Sequence, residues 1–193
     1  MSNIKNLSYW YWKSFFSITE VKKINNFIEK NFEDFEDIKN GATDSQGNYK
    51  KKSTVKLITL NKLKKIQKIN DLISSAHNAN NKNFGYILYN PNNSDTFLHN
   101  TYSSKDLSKY DYHIDVSESM CFDVKFTLLI NLSTEKYEGG DFYIFENDEY
   151  KVNELSNPGD VIMFKSYLNH RVSPVTKGTR KSLTYFINGP KFR

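Results

Sequence analysis

The sequence predicts a mainly β fold with supporting helices, and three observations carry that expectation. From residue 84 onward, short runs rich in Phe, Tyr, Val, Ile and Thr are separated by turn residues, with no helical periodicity between them. Helical spacing of apolar residues is confined to two stretches before residue 80. At 193 residues the chain suits one domain, 1–193, with a sizeable core. Many short strands without intervening helices indicate a sandwich or barrel.

The opening Tyr9-Trp10-Tyr11-Trp12-Lys13-Ser14-Phe15-Phe16 reads as a buried aromatic strand or arm. Ser17, with Glu20 three later, makes a capping box, and Val21, Ile24, Phe27 and Ile28 recur at helical spacing behind it. Residues 40–48 are a turn-rich loop, and 53–60 alternate loosely as a strand. A second amphipathic helix is expected over 61–78, with Leu63, Ile66, Ile69, Leu72 and Ile73 apolar. Its Lys62, Lys64, Lys65 and Lys68 form a wet face rather than a binding site. Strands are expected at 84–90, 97–102, 110–116, 125–132 and 141–146, then at 150–155, 160–165, 171–175 and 181–187. Pro158-Gly159 fits the central positions of a type II turn. The chain thus divides into a helical support region, 1–80, and a β core, 81–193.

Hydrophobic residues make up 38% of the chain, offset by Phe 14, Tyr 13 and Trp 2, which bury large areas each. The single Cys121 cannot form an internal disulfide and favours a reducing interior. No signal-peptide pattern opens the chain, and no stretch reaches the ~20 apolar residues of a membrane span. The expected setting is soluble and cytoplasmic, with no membrane association. The net charge of +5 is uneven: residues 1–100 hold 15 Lys against 9 acids, and the remainder is close to neutral. These lysines are dispersed, which fits a solvated surface better than a nucleic-acid interface, and no nucleic-acid motif is evident.

The chemistry gathers at His113-Ile114-Asp115. On a strand, residues two apart share a face, so the imidazole and the carboxylate stand together. Alone, the pair fits a hydrogen-bonded surface contact better than a metal site; the downstream sequence changes the balance. His170 can supply a third ligand from another strand, and two His plus one carboxylate with open positions is the ligand set of non-haem Fe(II) oxygenases. Beyond it, Pro174 and Gly178 suggest a hairpin that returns Arg180 alongside the His170 strand. An Arg there can clamp a carboxylate in a bidentate fork.

These residues resemble the Fe(II)- and 2-oxoglutarate-dependent dioxygenases, particularly the prolyl-4-hydroxylase-like branch. The resemblance rests on His113-Ile114-Asp115, Phe126-Thr127-Leu128-Leu129-Ile130-Asn131-Leu132 and Tyr137-Glu138-Gly139-Gly140-Asp141. It continues through Pro158-Gly159-Asp160-Val161-Ile162-Met163-Phe164, His170-Arg171-Val172, Gly178-Thr179-Arg180 and Gly189-Pro190-Lys191-Phe192-Arg193. It implies a double-stranded β-helix (jelly roll) core whose mouth holds Fe(II) on His113, Asp115 and His170. It further implies that 2-oxoglutarate binds with its C5 carboxylate on Arg180, aided by the Tyr102 hydroxyl. O2 would complete the reactants, with ascorbate a candidate reductant. Decarboxylation of 2-oxoglutarate to succinate and CO2 would then be coupled to hydroxylation of a C–H bond.

The implied substrate is a protein or peptide residue, with a free amino acid or other small molecule as the alternative. A cupin-like metal isomerase would share the triad without needing Arg180, and a non-enzymatic jelly-roll binding module would need neither. Ser182 shares the Arg180 face, as a second donor or a structural residue, and parity turns Lys125 and Thr127 toward the cavity. His77, His99 and Cys121 read as structural. Specificity falls to the loops 90–95, 103–109 and 117–124. Neither the substrate nor the oligomeric state is written in these residues.

Overall fold

Strand β5 (Asp123–Asn131) is almost wholly apolar or small, and it is buried from Lys125 to its end. A strand of that kind needs cover on both faces. In this computed structural model, which describes residues 7–32, 50–116 and 121–192, β5 lies inside a six-stranded sheet. The other members are β1 (Tyr9–Trp12), β2 (Thr54–Thr59), β3 (Thr96–Ser103), β9 (Val161–Lys165) and β12 (Thr179–Gly189), in the order β1-β9-β5-β12-β3-β2. Every pairing is antiparallel.

The second sheet is four-stranded: β4 (Tyr110–His113), β10 (Asn169–Val172), β7 (Phe142–Phe145) and β8 (Glu149–Lys151). A two-stranded ribbon joins β6 (Glu138–Gly139) to β11 (Val175–Lys177). Period-2 alternation divides the core. Phe126, Leu128, Ile130, Leu183, Tyr185 and Ile187 pack under the helices, with Val21, Ile24, Leu63, Ile69 and Leu72. Leu129, Ile162 and Phe164 point the other way, against Phe142, Ile144 and Val172 of the second sheet. This is the two-sheet β architecture with supporting helices that the sequence predicts.

Helix α1 (Ile18–Asn31) carries the expected capping box: Ser17 Oγ accepts from Glu20 N, and the Glu20 carboxylate accepts from Ser17 N. The expected turn at Pro158-Gly159 also forms. Asp160 N donates to Asn157 O, and Gly159 takes φ +82°, where a Cβ would sit 1.8 Å from Phe16 O.

Other expectations need correcting. The helix expected over 61–78 is broken into α2 (Leu60–Leu63) and α3 (Gln67–Asn83), with extended Ile66 between them. Leu60, Leu63, Ile66, Ile69 and Leu72 are all buried, at a strict spacing of three. That spacing drifts by about 60° per step around a continuous helix, so a break is needed to keep all five inward. Asn70 Nδ2 caps the exposed Lys64 carbonyl at the break.

Residues 84–90 form no strand. Gly85 turns the chain at φ +76°, and Asn80 of α3 holds both the amide and the carbonyl of Tyr86. The segment expected at 150–155 is β8 followed by a 3-10 turn, Asn153–Leu155. The one expected at 171–175 is split at Pro174, which has no N–H to donate, into β10 and β11. The loop 40–48 and residues 117–120 lie outside the described residues. Among the described residues no helix is long and apolar enough to cross a membrane.

Candidate metal centre and its cavity

Between the two sheets lies a cavity of about 90 Å³. The second sheet supplies its ligand cluster through the β4–β10 ladder, in which His113 and His170 are directly opposite. Their rings are 4.1 Å apart between centroids. Strand β4 ends at His113, so Asp115 stands two residues past the strand rather than on it. Its amide leaves the ladder to donate to Ser166 O. The carboxylate still arrives beside both rings: Oδ1 is 3.6 Å from His113 Nε2 and Oδ2 is 3.4 Å from His170 Nε2.

The surroundings prepare these groups to accept a cation. His113 Nδ1 meets Asp111 O and His170 Nδ1 meets Leu168 O, each at 2.8 Å. A carbonyl only accepts, so each Nδ1 carries the proton and each Nε2 presents its lone pair. Burial, reinforced by the neighbouring His170, pushes the His113 imidazole down to about 3 and keeps it neutral. Burial raises the Asp115 carboxyl, and His170 and the Thr127 hydroxyl oppose that rise. Thr127 Oγ1 donates to Asp115 Oδ2 at 2.7 Å and contacts Ser166 Oγ at 3.1 Å. One ligand atom from each of His113, Asp115 and His170 lies within 4.8 Å of the others. Metal bonds of about 2.1 Å at right angles would separate such atoms by about 3 Å, so a six-coordinate divalent ion fits with small adjustments.

Arg180 reaches the same cavity from the first sheet. The hairpin alongside His170 does not form: β12 pairs with β3 and β5, and β11 with β6, because the long apolar run after Arg180 completes the centre of the large sheet. Arg180 is 2% exposed; Nη1 donates to Ser182 Oγ at 3.3 Å, and the guanidinium lies 5.2 Å from the Tyr102 ring. Among the described residues no carboxylate pairs with it. Tyr102, its Cα partner across the β3–β12 ladder, is 3% exposed, and burial pushes its hydroxyl up to about 12.

A model of the 2OG-Fe(II) oxygenase superfamily matches residues 97–188, the stretch that holds all these residues. Over that stretch, a little under half of its length, the chain is similar to that superfamily.

Curated proteins similar to this chain include PKHD-type hydroxylases. One from Crocosphaera subtropica is 43% identical over 58 residues, 30% of this chain and 25% of the relative. One from Xylella fastidiosa is 32% identical over 92 residues, 41% of this chain and 39% of the relative. The chain thus spans well under half the length of the relatives it matches. Among solved structures, a Pseudomonas putida prolyl-4-hydroxylase shares the fold at TM-score 0.69 and 15% identity, over 98% of this chain and 96% of that one. A viral collagen prolyl hydroxylase from Paramecium Bursaria Chlorella virus-1, in its 2OG complex, does so at TM-score 0.68 and 17% identity, over 97% and 99%.

The cavity also contains residues that the expected site does not include. Tyr110 stacks on His113 at 3.4 Å, and Phe142 and Phe164 flank His170. Ser166 anchors both the Asp115 amide and the Thr127 hydroxyl. Lys51 lines the cavity at 9% exposure, and burial pushes its ammonium down to about 8 while Asp115 opposes the shift. Tyr110, three residues before His113 on the same strand, leaves a local mark in the sequence, whereas Phe142 and Phe164 reach His170 from other strands. Lys51 leaves none, because it sits in a plain basic run.

Thr127 and Ser182 line the cavity as parity predicts, whereas Lys125 turns to Asp123 and the Phe192 ring. His99 is fully buried in the helix-side core against Asn25. Cys121, expected as a small apolar structural residue, is exposed; it sits at the turn into β5, before the buried stretch begins.

Proposed function

We propose that this chain is an Fe(II)- and 2-oxoglutarate-dependent hydroxylase. The observation that carries the reading is a juxtaposition. A two-His, one-carboxylate cluster with its lone pairs exposed shares one small cavity with a buried guanidinium that no carboxylate among the described residues neutralises. An isolated buried cation is costly, so the site calls for an anionic ligand beside a metal.

His113, Asp115 and His170 would hold Fe(II), and Arg180 would take the C5 carboxylate of 2-oxoglutarate, with Ser182 steadying the guanidinium and the Tyr102 ring beneath it. When bound, iron and 2-oxoglutarate supply the oxidising chemistry with O2, the keto acid leaving as succinate and CO2. The chain's own residues fix position and exclude water. Thr127 orients the Asp115 carboxylate, the Asp111 and Leu168 carbonyls hold both rings in the metal-binding tautomer, and Phe142 and Phe164 keep the His170 side dry.

Likeness in fold to prolyl hydroxylases supports a peptidyl residue as substrate, with a free amino acid as the competing choice. Ascorbate is the reductant to include in assays, and the lone cysteine supports a reducing, cytoplasmic setting.

Anaerobic addition of Fe(II) and then 2-oxoglutarate should produce a visible charge-transfer band in the parent protein and none in His113→Ala or His170→Ala. Metal binding without any 2-oxoglutarate response would instead favour a cupin-like isomerase, and binding of neither would favour a plain binding module.

A further inference from the structure

Lys51 is an unusual occupant of this cavity. It reaches in from an edge segment that docks on the second sheet: Lys52 and Lys109 exchange backbone hydrogen bonds at 2.8 and 3.1 Å, and Asp111 N donates to Lys50 O. Lys51 itself bridges to Tyr110, and its ammonium lies 5.0 Å from that ring. Its hydrogen-bond partner is neutral: Nζ donates to Asn100 Oδ1 at 2.9 Å. Asn100 is fixed for that role, because Nδ2 donates to Leu98 O and Thr184 Oγ1 and so turns Oδ1 toward the lysine. An ammonium has three donors, and Asn100 uses one. Among the described residues no carboxylate pairs with Lys51.

Charge counting makes the excess specific. Among the described residues, Asp115 is the single acid lining the cavity, and Lys51 and Arg180 are its two basic side chains. A divalent ion with these two bases gives four positive charges, against three negative from Asp115 and the 2-oxoglutarate dianion. One positive charge is left over inside a buried site, where it is costly without a partner. Arg180 on the first sheet already answers the keto acid, and Lys51 enters beside Tyr110, whose ring stacks on His113.

We infer that the primary substrate carries a carboxylate, and that Lys51 holds it while the C–H bond to be hydroxylated faces the metal. This rests on the hydroxylase reading above and adds a substrate class to it. The carboxylate can belong to a free acid or to an acidic side chain within a peptide; both present the same group to the ammonium.

The test uses the full chain loaded with Mn(II) and saturated with 2-oxoglutarate, titrated calorimetrically without turnover. The probes are the proteinogenic L-amino acids, their α-amides, and the N-acetyl α-amides of L-aspartate and L-glutamate, which offer a carboxylate only as a peptide side chain would. Succinate release with the Fe(II) enzyme is followed for the same compounds.

At least one carboxylate-bearing probe should bind about tenfold or more tightly than its carboxylate-free counterpart. In Lys51→Met that advantage should vanish, with Mn(II) and 2-oxoglutarate affinities changed by less than about threefold. A free acid as the binder identifies a small-molecule substrate, and an N-acetyl amide identifies an acidic residue in a peptide; either supports the inference. Equal binding of acids and amides, or no binding by any acid, overturns it. Loss of 2-oxoglutarate affinity in Lys51→Met also overturns it, because Lys51 would then belong to the co-substrate. A parent that fails to bind 2-oxoglutarate at all fails the hydroxylase reading instead, before the probes are added.

Discussion

Gly140 packs against the stem of Arg180 so closely that a Cβ added at Gly140 would lie 2.9 Å from Arg180 Cδ. The glycine also sits at φ +63°, in the left-handed region that side chains rarely adopt. Its absent side chain therefore helps aim a guanidinium on another strand. Gly140→Ala should cost about 1–3 kcal/mol of stability. Displacing the Arg180 stem should also weaken 2-oxoglutarate binding about tenfold. Mn(II) affinity, measured in the same calorimetric series, should stay near the parent value because the triad lies on other elements. Equal loss of both affinities would indicate general unfolding rather than a misplaced arginine.

Thr127 offers a separate handle on the metal. Its hydroxyl bonds to the Asp115 oxygen nearer His170, and it is 2% exposed. Thr127→Val keeps the shape and removes the donor, leaving the carboxylate free to rotate away from the two rings. Outer-shell losses of this kind weaken metal binding about 10–100-fold. Mn(II) titration of the variant checks this, with the melting temperature as a control for packing.

His99 supplies the pH prediction. Burial, with Lys181 nearby, pushes its imidazole down to about 4, and its Nε2 is engaged by the Asn25 side-chain oxygen. In the unfolded chain a histidine titrates near about 6.5. Between these values the unfolded state holds a proton that the folded state refuses, so stability rises with pH across that window and is lost as pH falls from about 6.5 toward about 4. At about 1.4 kcal/mol per pH unit the loss reaches about 3 kcal/mol. Denaturant unfolding of parent and His99→Gln at matched pH isolates this share, and the difference between them should narrow or reverse toward acid. A difference independent of pH would mean that the buried ring does not titrate differently on folding.

What the sequence made legible was chemistry carried by residue type and order. His113, Asp115 and His170 have the right side chains in the right succession, and the capping box at Ser17 and the turn at Pro158-Gly159 are local devices that leave local marks. What stayed hidden depends on long-range pairing. Arg180 reaches the cavity from the sheet opposite His170 because β12 is claimed by β3 and β5, a choice that no hairpin signal encodes. Lys51 reads as surface until its segment docks on Lys109 and Asp111. Residues 84–90 have strand composition, yet the Asn80 side chain takes the hydrogen bonds that a neighbouring strand would need.

The strongest prediction concerns Arg180. At 2% exposure its guanidinium is desolvated, it donates to the Ser182 hydroxyl, and the Tyr102 ring lies beside it. A carboxylate delivered by 2-oxoglutarate would satisfy it through two parallel hydrogen bonds, a geometry that the point charge of a lysine does not reproduce. Arg180→Ala leaves that carboxylate buried without a partner, a loss of about 3–5 kcal/mol by analogy with other broken buried pairs. The corresponding weakening of 2-oxoglutarate binding is roughly a hundred- to several-thousand-fold. Arg180→Lys should fall between Ala and parent, because the charge is kept and the fork is lost. Mn(II) affinity should barely move in either variant, since Arg180 is not among the three ligand residues. Calorimetric titration of both ligands into both variants decides the matter: if 2-oxoglutarate still binds Arg180→Ala within a few-fold of the parent, the arginine is structural and the co-substrate assignment loses its main support.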